Sequence, residues 1–126
     1  MGTETNIATV KTAWERLGAG DFDGLAALYT EDMAFVLPGQ NDKLTGRGAF
    51  RGALDQIGEA LPPGFDVTAL HYFGGENSGD VVNVVEWKSN AVPDGTQSAI
   101  LWRFDGEGRI AEERWYVDTE QWKAAF

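Results

Sequence analysis

The stretch from Ile100 to Trp122, ILWRFDGEGRIAEERWYVDTEQW, reads as two strands joined by a tight turn and followed by a short tail. Asp105 and Gly106 carry turn chemistry, and Gly108 suits the positive φ that a hairpin bulge demands. Arg109 to Val117 is rich in strand formers, yet it holds Glu112, Glu113 and Arg114 and ends against Asp118. A strand that carries several charges towards one end makes a natural rim for a pocket. Simple alternation puts Arg114, Tyr116 and Asp118 on one face and Glu113, Trp115 and Val117 on the other. A polar set and an apolar set therefore compete for the interior. A bulge near the strand end is one way for Asp118 to turn inward while Trp115 also lines the pocket.

The period of two continues upstream. Phe65–Phe73, Val81–Asn90 and Gln97–Phe104 read as strands, separated by turns at Gly74–Asp80 and Val92-Pro93-Asp94-Gly95. Consecutive hairpins of this kind make an antiparallel meander. Before residue 65 the period is helical. Ile7, Val10, Trp14 and Leu17 predict a helix over residues 5–17, capped by Thr3 or Thr5 and ended by Gly18 and Gly20. Asp21 suits the N-cap of a second helix with Phe22, Leu25, Leu28 and Tyr29 on its inner side. Met33 to Leu37 is a short strand stopped by Pro38-Gly39, and Asn41 to Thr45 reads as polar loop. A third helix follows over Gly46 to Leu61, with Phe50, Leu54, Ile57 and Leu61 in register and Arg51 and Asp55 paired on the solvent side. Pro62-Pro63-Gly64 ends it. The pattern is α+β: three N-terminal helices packed in a strongly curved, mostly antiparallel sheet, within one domain over residues 1–126. Such a sheet wraps its helices into a cone, and the interior or mouth of the cone is the expected ligand site.

Composition narrows the function. With 43% hydrophobic residues, 5 Trp and 7 Phe, the chain has material for a core and a cavity wall and is not a disordered sequence. The absence of Cys removes disulfides, thiolate metal sites and Cys nucleophiles, and a single His removes a His-rich zinc site. A formal net charge of -10 repels phosphate backbones and anionic lipid, so no nucleic-acid or membrane partner is expected. No apolar run is long enough to span a bilayer, and MGTETNIATV lacks the basic and apolar regions of a secretory signal, so the expected location is the cytoplasm.

Three segments, AGDFDGLAALYTEDMAFVLPG, TGRGAFRGAL and LWRFDGEGRIAEERWYVDTEQW, together resemble the nuclear transport factor 2-like superfamily. Within it they are most similar to the SnoaL-like polyketide cyclase and ketosteroid isomerase-like branch. The resemblance spans nearly the whole chain. It implies a cone-shaped α+β barrel with a deep apolar pocket and a homodimer formed through the outer face of the sheet. It leaves function open, because this fold carries isomerases, cyclases, hydrolases and non-enzymes. Ketosteroid isomerisation itself needs a carboxylate base and two oxyanion donors. The matching positions here hold Leu37, Ile100 and Ala13 (or Trp14), so that activity is rejected.

Cyclase-like and epoxide-hydrolase-like members place an acid/base Asp near the end of the last strand, which matches Asp118 in RWYVD. One carboxylate in an apolar pocket suffices to move a proton off carbon and onto oxygen, and burial makes it a better base. Asp118 equally suits the N-cap of a helical turn starting near Thr119, and the two roles are compatible. The limonene epoxide hydrolase pattern also needs an Arg and a second Asp on a middle strand; Glu86, Trp87, Lys88 and Ser89 do not supply it. His71 in VTALHYF shares a face with Val67, Ala69 and Phe73, which points it inward, as a hydrogen-bonded sheet histidine or as a pocket partner of Asp118. Asn83 and Tyr116 are further candidates for orienting a substrate oxygen.

The reading that follows is a small enzyme that binds a hydrophobic, carbonyl-bearing or cyclic molecule. Asp118 is its general acid/base, with His71 and Tyr116 positioning or polarising the substrate. Trp14, Tyr29, Trp87, Trp102 and Trp115 shape the walls, though Trp14 and Tyr29 serve as readily in a plain core. No metal and no organic cofactor is implied. The alternatives are a non-catalytic ligand-binding or dimerisation module of the same fold, and an epoxide hydrolase, which needs a second carboxylate beside Asp118.

Overall fold

The helical stripe at the N-terminus folds as α1 (Thr3–Gly18), in a computed structural model that describes residues 2–37, 43–75 and 78–125, except for the side chains of residues 57, 58 and 60. Val10 and Ala13 are buried on its inner side, and Ile7 and Trp14 lean on the core. Neither threonine caps it. The N-cap is Gly2, and the Thr3 hydroxyl instead donates to the carbonyl of Gly75 at 3.2 Å, tying the helix start to the sheet. Asp21 does cap α2 (Phe22–Ala26), accepting from the Gly24 N–H at 3.0 Å. That helix is only one turn long. Leu28 and Tyr29 do not continue it, because Ile110 N–H donates to the Leu28 carbonyl at 2.9 Å and Tyr29 pairs with Ile110. The strand-forming pair Tyr29-Thr30 thus opens β1 (Tyr29–Val36), which is longer than the Met33–Leu37 run suggests.

β2 (Leu44–Thr45) pairs antiparallel with β1, so these two residues are strand rather than loop. The expected stop at Pro38-Gly39 and the loop residues 41 and 42 lie outside the described residues. α3 (Arg47–Ala60) buries Phe50 and Leu54, and Arg51 pairs both with Asp55, at 3.8 Å, and with Asp23, at 2.7 Å. The expected inward Ile57 falls among the side chains not described.

The meander follows as β3 (Asp66–Gly74), β4 (Val81–Lys88), β5 (Thr96–Phe104) and β6 (Ile110–Tyr116), closed by a short α4 (Thr119–Ala124). The six strands form one curved, unclosed sheet in the order β2-β1-β6-β5-β4-β3. Among the described residues only the β1–β6 pairing is parallel. β4 shows the pleat most plainly: Val81, Asn83, Val85 and Trp87 are buried, while Val82, Glu86 and Lys88 are exposed. Among the described residues no helix is long and apolar enough to cross a membrane.

Register shifts break the alternation that the sequence implies, between Tyr29 and Ala34 in β1 and at one residue each in β3 and β6. On β3 the register shifts between Ala69 and His71, leaving Leu70 unpaired. One extra residue exchanges the faces of all that follow. Val67 and Ala69 pair with the inward Trp87 and Val85, but His71 and Phe73 pair with Val84 and Val82 and face outward. On β6 the shift leaves Ala111 unpaired between Ile110, opposite Phe104, and Glu112, opposite Arg103. Ile110 is fully buried, and after the bulge Glu113 and Trp115 share its inner face. Glu112, Arg114 and Tyr116 are turned to the outside.

Candidate active site

Between the helices and the inner face of the sheet lies a cavity of about 540 Å³. That volume falls within the range of small-molecule sites, roughly 300–1,000 Å³. Its walls are largely aromatic. Trp14 comes from α1, Phe22 from α2, Tyr29 and Phe35 from β1, and Phe50 from α3. Trp102, Trp115 and Trp122 come from β5, β6 and α4. Trp14 sits edge-on to both Trp102 and Trp115, with ring centroids 6.3 Å apart in each case. Among the described residues the lining holds two charged ones, Glu113 and the exposed Asp66 at the start of β3. Among the described residues no Lys, Arg or His lines it.

Glu113 is only 6% exposed. The Tyr29 hydroxyl donates to its Oε1, and the Trp115 indole N–H donates to its Oε2 at 2.7 Å. Burial disfavours the carboxylate and pushes the Glu113 pKa up to about 7, while the two hydrogen bonds pull the other way and lose. The Tyr29 phenol is raised well above its ordinary value, by burial first and then by the Glu113 charge and hydrogen bond, so it remains a donor. Each carboxyl oxygen keeps a further lone pair after these contacts. A carboxyl balanced near neutrality can give or take a proton.

Trp14 Nε1 donates to Asn83 Oδ1 at 2.7 Å, and Asn83 Nδ2 donates to the His71 carbonyl at 2.9 Å. Trp102 Nε1 is buried with no hydrogen-bond partner among the described residues.

Trp14, Tyr29, Trp102 and Trp115 line the cavity as the sequence suggests. Trp87 does not. It is fully buried behind the wall, stacked on Phe65 at 5.9 Å and edge-on to Trp122 at 5.4 Å, with its Nε1 donating to Ser98 Oγ at 2.9 Å. Asp118 is exposed and is the N-cap of α4, accepting from the N–H groups of Glu120 at 3.0 Å and Gln121 at 3.1 Å. Tyr116 is 54% exposed on the outer face, in the same cross-strand row as the exposed His71. None of these three lines the cavity, and the structure does not gather them. Glu86 and Lys88 also face outward. Leu37 lines the cavity and Ile100 is fully buried, so neither position reserved for isomerase carboxyls holds one.

The sequence signal for Glu113 is its place beside Trp115 and Val117 in the alternation. Its partner Tyr29 lies 84 residues upstream, a pairing that no local pattern encodes.

The family model of the SnoaL-like domain matches residues 10–115. No curated protein sequence matches the chain. Bal32a from a soil-derived mobile gene cassette superposes with a TM-score of 0.80 at 21% identity, over 98% of this chain and 97% of that one. SalBIII, an epoxide hydrolase/cyclase-like enzyme in pyran ring formation in polyether salinomycin, gives 0.74 at 18%, over 93% of each chain. Rv0760c from Mycobacterium tuberculosis, in complex with estradiol-17β-hemisuccinate, gives 0.68 at 18%, over 92% of this chain and 95% of that one. At these identities the likeness is one of fold.

Proposed function

This chain belongs to the SnoaL-like domain family, and we propose that it is an acid–base enzyme for an apolar, oxygen-bearing small molecule, with Glu113 as the group that moves the proton. The observation that carries this reading is a buried carboxyl, with a pKa of about 7, lining an aromatic cavity. Activity at neutral pH favours a base of that strength. For a carbonyl substrate the C–H bond beside the carbonyl breaks, its electron pair forms C=C, and the carbonyl π pair moves to oxygen. Glu113 carboxylate takes the proton and becomes the acid. Where the substrate carries a C=C beside the carbon that loses its proton, the enolate extends over it, and returning the proton to the far carbon shifts the double bond into conjugation with the carbonyl. Alternatively, attack of the enolate carbon on a second carbonyl of the same molecule closes a ring, and the proton passes to the new alkoxide. Tyr29 and Trp115 hold the carboxylate in place throughout. The steroid ester and the pyran-forming role of two structural neighbours support a ligand of this size and polarity.

The proposal extends to assembly, in which two copies pair through the outer face of the sheet. Phe73, Val82, Leu101 and Arg114 form one cross-strand row there, next to His71, Val84, Ala99 and Tyr116. Phe73 is 57% and Val82 37% exposed in the isolated chain, an apolar patch of the kind that marks an interface.

The test is catalysed exchange of the α-protons of 2-tetralone in heavy water, followed by NMR. Glu113→Gln is expected to lose at least about 100-fold of the exchange rate, whereas Asp118→Asn stays close to wild type. Loss in Asp118→Asn with Glu113→Gln unaffected would return the acid/base role to Asp118. No catalysed exchange by the wild-type chain, with the ketone bound, would make it a binding module.

A further inference from the structure

We propose that Asp66 makes the cavity selective for charge: it admits an apolar molecule that carries an ammonium group and turns away one that carries a carboxylate or a phosphate. This rests on the acid–base reading for the place of the substrate, and it adds the charge on the substrate's outward end.

Among the described residues, four of the wall are exposed to solvent. They are Leu17 and Gly18 at the end of α1, Leu61 just past α3, and Asp66 at the start of β3. Tyr29, Phe50, Trp102 and Glu113 lie buried instead. The exposed four mark the way in, and Asp66 is the one charge among them. The strand register separates the two carboxylates of the wall. Asp66 is level with Lys88, whereas Glu113 is level, through Trp102, with Val81 at the other end of β4. One acid therefore stands at the entrance and the other deep inside.

The charge of Asp66 is uncompensated. Among the described residues its carboxylate has no hydrogen-bond donor, and Lys88, its neighbour in the ladder, makes no ion pair with it. No Lys, Arg or His lines the cavity. A bound carboxylate or phosphate is ordinarily met by such groups; here it meets two acids. Charges act across several ångströms where water is scarce, so the selection needs no direct contact. Phe65 and Trp122 add to it. Both line the cavity, edge to face, with centroids 6.2 Å apart. Aromatic faces attract an ammonium and offer nothing to a carboxylate. The net charge of -10 draws cations towards the whole molecule. An ammonium held at the entrance keeps part of its water, which avoids the cost of burying a charge. It also stays away from Glu113, whose pKa an adjacent cation would lower.

The experiment measures the binding of 2-(2-naphthyl)ethylamine, 2-naphthylacetate and 2-ethylnaphthalene by calorimetry at pH 8, with the wild-type chain and with Asp66→Asn. At that pH the amine is an ammonium, and Glu113, with a pKa of about 7, is a carboxylate. The wild type should hold the amine at least roughly 10-fold more tightly than the acid. Asp66→Asn should weaken the amine roughly 2- to 5-fold, strengthen the acid by a similar factor and leave 2-ethylnaphthalene unchanged. A wild type that holds the acid as tightly as the amine would overturn the proposal, and that measurement needs no variant. So would an amine-to-acid ratio that Asp66→Asn does not alter, or an equal change for all three ligands. Undiminished exchange in Glu113→Gln would remove the proton role alone and leave the order of the three ligands to be read as before.

Discussion

Glu113 is held between opposing forces. Burial favours its neutral form, and two donors, Tyr29 and Trp115, favour the carboxylate. Burial is the larger, and the balance falls near pH 7 instead of the ordinary 4.5. Removing one donor should tip it further. Tyr29→Phe is expected to raise the Glu113 pKa again, moving the rising limb of any base-dependent pH–rate profile to higher pH. An unchanged or lowered midpoint would contradict the assignment of forces. The same raised pKa enters stability. Below about pH 4.5 the group is protonated in both folded and unfolded chains and costs nothing. Between about 4.5 and 7 the unfolded chain loses its proton first, so stability falls as pH rises, by roughly 3 kcal/mol in all. Urea unfolding at pH 4 and pH 8 should therefore show Glu113→Gln gaining on the wild type by that order at the higher pH. At this scale the sequence was half legible. Four of the five proposed wall aromatics line the cavity, but the charged residue among them was passed over for Asp118, whose free position at a strand end resembles a catalytic carboxylate as much as a helix cap.

Among the elements, single-residue bulges in β3 and β6 decide which side chains of those two strands meet the cavity. The helices, the meander and the hairpin turn at Gly108, with φ of 82°, follow directly from periodicity and turn chemistry. Strict alternation fails at Leu70 and at Ala111, where one unpaired residue reverses the rest of the strand. Nothing in VTALHYF or RIAEERWYVD marks those positions, because a bulge is fixed by how two strands register and not by the residue that is left over. His71 therefore turns outward, against the plain alternation of its strand, whereas Glu113 turns inward on the face it shares with Trp115. α4 gives the corresponding prediction for Asp118. Asp118→Ala removes two capping hydrogen bonds and is expected to cost about 1 kcal/mol, lowering the melting temperature by a few degrees while ketone exchange continues. Exchange abolished in a variant that still melts cooperatively would place Asp118 in the chemistry.

For the molecule as a whole, the curved sheet presents two unlike faces. Its inner face, with the helices, encloses the aromatic cavity, and its outer face presents the apolar rows around Val82. The cone and its pocket were legible from the order of elements and from the resemblance of three segments. Which face of each strand turns inward was not, since that depends on the register shifts. Pairing through the outer face predicts that the wild type runs as a two-chain species in light scattering and that Val82→Glu, which buries a charge in the interface, runs as one chain. A wild type that is already monomeric at high concentration would refute that arrangement. The proposed chemistry depends most of all on the state of one buried carboxyl. ¹³C NMR titration of the Glu113 side chain tests it directly: the expected midpoint is about 7, with the signal displaced when 2-tetralone binds. A midpoint near the ordinary 4.5, insensitive to the ketone, would contradict it.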